Sequence, residues 1–174
     1  MSCINEHAID KALDDWAAFI LKDIQDKPEQ SIALVGLISR GELLAQRLVQ
    51  RLATLGCKAQ YGAIDITLYR DDFSMQGRKP ALRSSDLPFS TDGMKLILID
   101  DVLHTGRTVR AALNAIFDYG RPASVEMHCL VNRPGREIPI ESNYSCFTLS
   151  PKDIEQQRVE VQLKENHGAD SITY

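Results

Sequence analysis

Four apolar residues, Leu96-Ile97-Leu98-Ile99, run without interruption into two adjacent carboxylates, Asp100 and Asp101. A strand with no polar alternation must be covered on both faces, which a parallel sheet flanked by helices provides. After Val102-Leu103-His104 comes a turn, Thr105-Gly106-Arg107-Thr108, and then Val109, Leu113, Ile116 and Phe117 at helical spacing. The stretch prescribes a buried strand, an acidic strand end, a small-residue loop and a helix N-terminus.

Ligands of open parallel sheets bind beyond the carboxyl ends of the strands, where Asp100 and Asp101 lie. Ionised carboxylates there accept hydrogen bonds from sugar hydroxyls or hold a hard cation through water. The Thr105–Thr108 turn offers backbone amides at a helix start, an anion site. Hydroxyl acceptors beside phosphate donors suit a phosphorylated sugar. Taken alone, the two acids equally fit a helix cap or a solvated strand end.

The remaining segments follow the same alternation of strand and helix. His7 to about Asp26 carries Ile9, Leu13, Trp16, Ile20 and Ile24 at helical spacing, and Pro28 ends it. Ser31–Leu37 is a second candidate buried strand. It leads through Ser39-Arg40-Gly41 into a helix with Leu44, Leu48, Leu52 and Leu55 on one face and Gly56 at its end. Tyr61–Tyr69 alternates as a half-covered strand, and residues 70–95 lose periodicity, as functional or disordered loops do. Ser124–Val131 is another strand, ending in the polar turn Asn132-Arg133-Pro134-Gly135-Arg136. Tyr144–Leu149 reads as short and irregular, Val159–Leu163 as a last strand, and Lys164 onward as a loose polar tail. An α/β fold with a mainly parallel central sheet flanked by helices follows, as one domain over 1–174.

Composition narrows the function classes. With 174 residues, net charge −4 and 25% charged residues, nonspecific nucleic-acid binding is not favoured by the whole-molecule field. Cys3, Cys57, Cys129 and Cys146 lack C-x-x-C spacing and read as reduced thiols, Cys129 as packing. The histidines form no zinc pattern. An acidic N-terminus unlike a targeting peptide, and no apolar run of membrane length, lead to the expectation of a cytoplasmic protein with no membrane partner.

Ser39-Arg40-Gly41 taken alone reads as a capping serine and a solvated arginine, though a guanidinium at a strand end also suits phosphate oxygens. Together with the Leu96–Thr108 stretch it resembles the type I phosphoribosyltransferases, whose signature is an apolar strand, two acids and a Thr-Gly-x-Thr loop. Ile64-Asp65-Ile66-Thr67-Leu68-Tyr69-Arg70-Asp71-Asp72, Phe117-Asp118-Tyr119-Gly120-Arg121-Pro122 and Arg136-Glu137-Ile138-Pro139-Ile140 resemble one branch of that superfamily. This branch comprises the bifunctional pyrimidine-operon regulators and uracil phosphoribosyltransferases (PyrR). The similarity runs from about Ile32 to Tyr144.

The resemblance implies a type I phosphoribosyltransferase fold with a small hood and base-binding region over 132–163 and a flexible catalytic loop over 70–95. It implies the reaction of uracil with phosphoribosyl pyrophosphate (PRPP) to give UMP and pyrophosphate. Asp100, Asp101, Arg40 and Arg70 would be the catalytic residues. Asp100, Asp101, Val102, Leu103, His104, Thr105, Gly106, Arg107 and Thr108 would bind PRPP, and Ser39, Arg40 and Gly41 the pyrophosphate. Val131, Asn132, Arg133 and Arg136 would meet the base. Mg²⁺ would be held mainly through PRPP and water, with Asp100 and Asp101 as contacts. Further implied partners are the pyrimidine-operon leader RNA and other copies of the chain, as dimer or larger homo-oligomer.

The chain also departs from the branch. Asn132 stands where relatives carry Asp, and Pro134-Gly135 replaces a Gly-His pair. The 144–163 segment lacks the usual Gly-Lys-Asn and Pro-Thr-Ser turn. The first helix carries Asp10, Asp14 and Asp15 near places where relatives have arginines, and acids there work against RNA phosphates. Two alternatives therefore stand beside the enzyme: an RNA-binding attenuator sensing UMP or PRPP with little enzymatic role, and a type I phosphoribosyltransferase for another base.

Overall fold

Leu96–Ile99 has cover on both faces. In the computed structural model, which describes residues 2–69, 85–153 and 158–174, this run sits in the middle strand of the main sheet. The chain runs β1 (Cys3–Ile4), α1 (Glu6–Asp26), β2 (Ile32–Leu37), α2 (Arg40–Thr54), β3 (Gln60–Ile64), a 3₁₀ turn (Thr67–Tyr69), β4 (Lys95–Leu103), α3 (Arg107–Tyr119), β5 (Ser124–Asn132), β6 (Tyr144–Thr148), β7 (Glu160–Gln162), α4 (Lys164–His167) and β8 (Ser171–Thr173). The main sheet has the order β3-β2-β4-β5-β6, and every pairing is parallel. A second sheet, β1-β8-β7, is antiparallel.

Strand periodicity divides the core into two layers. Ile32, Leu34, Ile97 and Ile99 face α1 and α2, packing on Ile9, Leu13, Trp16, Leu44 and Leu48. Ala33, Val35, Leu37, Leu96 and Leu98 face α3, against Val109, Ala112 and Ile116. Asn5 caps α1, its side chain accepting from Ala8 N–H at 3.0 Å. Trp16 is fully buried, so its indole N–H needs a partner, and His128 Nδ1 accepts it at 3.1 Å. Burial pushes His128 down to about 4, so the ring is neutral at pH 7. With Nδ1 accepting, its proton sits on Nε2, 3.3 Å from Glu126 Oε2.

Several sequence expectations are corrected. Tyr61–Tyr69 is not one strand: β3 stops at Ile64, and Asp65 Oδ1 accepts the Thr67 amide at 2.8 Å, turning the chain into the 3₁₀ segment. Tyr144–Leu149 is not irregular; most of it is β6, paired in parallel with β5. Of the 70–95 loop, 70–84 lies outside the described residues. Lys95 already belongs to β4, and Asp86 is tied to Ala63 by two backbone hydrogen bonds of 2.8 Å. The 132–163 segment is shared between the two sheets: β6 pairs with β5 in the main one, and β7 with β8 in the small one.

The loose tail is the largest correction. Ile172 of β8 is fully buried, and Ser2 and Tyr174 exchange backbone hydrogen bonds of 3.0 and 3.2 Å. Arg47 of α2 anchors this region. Its guanidinium meets Asp170 at 2.7 and 2.8 Å and Glu165 at 2.8 and 2.5 Å. The Asp170 carboxylate is buried, which alone would raise its pKa, but Arg47 outweighs that and holds it below the usual carboxylate range. Glu165 is lowered chiefly by its Arg47 hydrogen bonds.

Removing Arg47 strands a buried carboxylate. Arg47→Ala is expected to cost about 3–5 kcal/mol at pH 7, measured by urea unfolding. Both carboxyl pKa values are depressed by folding. The stability they contribute is therefore complete above their unfolded values and is lost as pH falls through the folded ones. The gap between wild type and Arg47→Ala should accordingly narrow on acidification below about pH 4.

Candidate functional site

The carboxyl ends of β2, β3 and β4 open on a common cavity of about 330 Å³. Ser39 and Arg40 from the β2–α2 turn form one wall, Ile66 and Thr67 a second, and Asp100, Asp101, Val102 and Thr108 the third. This is the edge where parallel sheets place ligands.

Close approach of α2 to β4 makes this geometry. A Cβ on Gly41 would stand 2.2 Å from the Ile99 carbonyl oxygen and 3.1 Å from Asp100 Cα. Only glycine lets the first turn of α2 rest there, and that contact sets Arg40 across from the acids. Arg40 Nη1 donates to Asp101 Oδ2 at 3.0 Å. Asp101 Oδ1 accepts from Val102 N–H at 3.0 Å, and Asp100 Oδ1 from Asp101 N–H at 2.9 Å. Backbone amides thus fix both carboxylates before any ligand arrives. The Arg40 side chain is 42% exposed, and exposed pairs of this kind are worth about 0–1 kcal/mol. A polyanionic ligand can displace Asp101 from it at little cost.

Gly106 is the N-cap of α3 with φ of +90°, a conformation that favours glycine, and no side chain caps the helix. The Arg107 amide reaches Thr105 Oγ1 at 3.3 Å, and the Arg107 side chain pairs with Glu137 at 2.7 Å. His104 is held below its ordinary value by burial, with Arg133 beside it as the next cause.

The sequence-derived residues divide into three groups. Ser39, Arg40, Asp100, Asp101, Val102 and Thr108 meet at the cavity, with Gly41 packed behind. Leu103 is buried, and His104–Arg107 adjoin the 132–138 turn, where Glu137 and Ile138 amides donate to Thr105 O at 3.0 Å each. Val131 lies in the core, Asn132 pairs in register with Leu103, and the Asn132 side chain bonds Arg136 and Ser142. Arg70 lies outside the described residues. Ile66 and Thr67 were not among the sequence candidates, yet they form a wall. The available signal was Asp65 two residues before Thr67, an Asx-turn spacing that breaks the apparent strand.

Burial pushes the Cys129 thiol up to about 11, and all four cysteines are free. Among the described residues, no group of three or more His, Cys, Asp or Glu could hold a metal. No described helix is long and apolar enough to cross a membrane.

Residues 4–166 match the family model described as the phosphoribosyl transferase domain. The fold is shared with a hypoxanthine phosphoribosyltransferase of Trypanosoma cruzi, at TM-score 0.66 and 18% identity over 84% of this chain and 80% of that one. A Staphylococcus aureus hypoxanthine phosphoribosyltransferase gives TM-score 0.64 and 19% identity, covering 84% and 76%. The family match, with the shared fold, makes the chain a type I phosphoribosyltransferase.

Three curated relatives called "Bifunctional protein PyrR" narrow the class. That of Akkermansia muciniphila is 51% identical over 94% of this chain and 89% of the relative. That of Elusimicrobium minutum is 41% identical over 95% and 90%, and that of Deinococcus radiodurans 42% identical over 85% and 80%. The chain belongs to the PyrR family of phosphoribosyltransferases.

Gly41 gives a direct check on the architecture. Gly41→Ala should destabilise the protein by about 1–3 kcal/mol through overpacking, read from urea unfolding. Unchanged stability would mean that α2 does not rest on β4 as described.

Proposed function

We propose that the chain transfers the phosphoribosyl group of PRPP to uracil, giving UMP and pyrophosphate, and regulates pyrimidine-biosynthesis gene expression. The carrying observation is the cavity in which Arg40 faces Asp101, with Asp100 and Thr108 beside it.

In the reaction, uracil N1 forms a bond to the anomeric carbon as the bond to pyrophosphate oxygen breaks, and the N1 proton leaves to solvent. Positive charge grows on the ribose while pyrophosphate gains negative charge. Asp100 and Asp101, already oriented by backbone amides, take the ribose hydroxyls and favour the cationic ring. Arg40 moves from Asp101 to the leaving pyrophosphate, aided by the Ser39–Gly41 backbone. The amides of Thr105–Thr108 hold the 5′-phosphate at the start of α3. The donor set fits a hard cation: oxygen ligands only, and too few for a closed protein site. Mg²⁺ would be held by PRPP oxygens and, through water, by Asp100 and Asp101; when bound it supplies charge neutralisation on the leaving group. Arg70 and the part of the 70–95 loop that precedes the segment tied to β3 and β4 would cover the reacting centre and exclude water. Val131–Arg136 would present the base with backbone donors and acceptors matching uracil.

PRPP, Mg²⁺ and each nucleobase in turn should give nucleotide with uracil. Formation from hypoxanthine alone would move the chain to a purine reaction. Asp100→Asn and Asp101→Asn are each expected to lower kcat by about 10²–10³ with circular dichroism unchanged. Wild-type kinetics in both would sink their assignment.

One observation bears on the regulatory half. Arg51 of α2 pairs with both Asp10 and Asp14, so part of the acidic face of α1 is already compensated. The surface is less hostile to RNA phosphates than its sequence reads. A gel shift on the pyrimidine-operon leader at fixed salt should show a complex that UMP tightens and added salt weakens. A shift indifferent to UMP would remove the regulatory reading.

A further inference from the structure

The Arg136 guanidinium has five N–H groups, and protein acceptors take all of them. Nε donates to Ile140 O at 2.8 Å. Nη1 faces three carbonyls: Leu103 at 3.3 Å, Arg133 at 3.0 Å, and His104 in a short contact. Nη2 meets Asn132 Oδ1 at 2.5 Å and Glu141 Oε2 at 3.3 Å. The side chain is 17% exposed. No N–H remains to read a base.

These acceptors come from three segments: the end of β4 with the loop after it (Leu103, His104), the end of β5 with the turn after it (Asn132, Arg133), and residues 140–141. The β4–β5 pairing stops at Leu103 and Asn132, and beyond it no strand pairing among the described residues joins them. Further contacts stitch the first two. The Arg133 amide donates to Leu103 O at 3.0 Å, Glu137 and Ile138 share Thr105 O, and a Cβ on Gly106 would lie 3.3 Å from Ile138 Cβ. Asn132, fixed by Arg136, passes the order onward through Ser142 (3.2 Å) to Ser145 (2.6 Å) at the start of β6.

We infer that Arg136 is a positioning residue that locks the 132–138 turn to the 103–108 loop, making them one rigid body. The names of the two subsites, base and 5′-phosphate, rest on the function proposed above; the locking does not. Given that function, the subsites form together and fail together. Loss of Arg136 weakens PRPP and base alike, although it touches neither. A planar fork is required, because an ammonium cannot reach carbonyls on both sides of the turn.

Two measurements test this on Arg136→Ala and Arg136→Lys, with Glu141→Ala as control; Glu141 is largely exposed and takes one long contact from the guanidinium. Hydrogen exchange of the ligand-free protein should rise by about tenfold or more in residues 103–108 and 131–138 together, with β2 and the Leu96–Ile99 run unchanged. Steady-state kinetics should show KM for PRPP and for uracil rising in parallel, kcat moving less, Arg136→Lys failing to restore either, and Glu141→Ala behaving as wild type. If exchange rises in 131–138 only, or only the uracil KM moves, Arg136 serves the base turn alone and the proposal falls. It falls too if neither measurement changes. Should Arg136→Ala not fold, Arg136→Lys carries the same comparison. A wild type that makes no UMP would overturn the function while leaving the exchange result to decide the locking.

Discussion

The first turn of α2 rests directly on the end of β4, and the site depends on that contact. Gly41 lies so close to the Ile99 carbonyl that no side chain fits between them. Arg40 is thereby held across the cavity from Asp101. β4 can receive α2 in this way because it is central in the sheet and apolar on both faces from Leu96 to Ile99. Its polar groups lie at its two ends: Lys95 at the start, and the acids where three parallel strands stop together.

The charged groups divide by burial, and the division tracks their roles. Arg47, Asp170 and Lys95 are nearly inaccessible, and each is satisfied several times over: Arg47 by Asp170 and Glu165, Lys95 by Asp23 at 2.5 Å and Glu126 at 2.6 Å. Such groups hold elements in place, since an unpaired charge there would be costly. Arg40 is half-exposed and has one partner in the cavity wall. It alone of these cations sits at the cavity, where exchange of a protein carboxylate for a ligand is cheap. The fold keeps its fixed charges under the helices and its movable one at the sheet edge.

The parts legible in the sequence were those whose cause is local. The unbroken run Leu96–Ile99, the heptad-like leucines of α2 and the Thr-Gly turn before α3 each state their structure within a dozen residues. The parts that were not legible depend on distant partners. Residues 164–174 read as a polar tail because Glu165 and Asp170 look solvated until Arg47, more than a hundred residues earlier, is placed beside them. β6 looked irregular because Ser145 and Cys146 break the expected apolar run, while Ser145 is in fact bonded to Ser142 across the strand's start. The resemblance puts Arg136 in the base turn but says nothing of what its guanidinium meets; most of its acceptors are carbonyls whose direction no sequence pattern reports. Ile66 and Thr67 were masked by an alternation that Asp65 interrupts with its own side chain.

The pairing of Ser2 with Tyr174 has a consequence of a different kind. The covalent chain is a line, but mechanically these described residues form a ring, with β1 zipped to β8 beside the helix that carries Arg40. A pull on β1 is therefore shared by β8, and the small sheet bears it before it reaches the helix that lines the cavity.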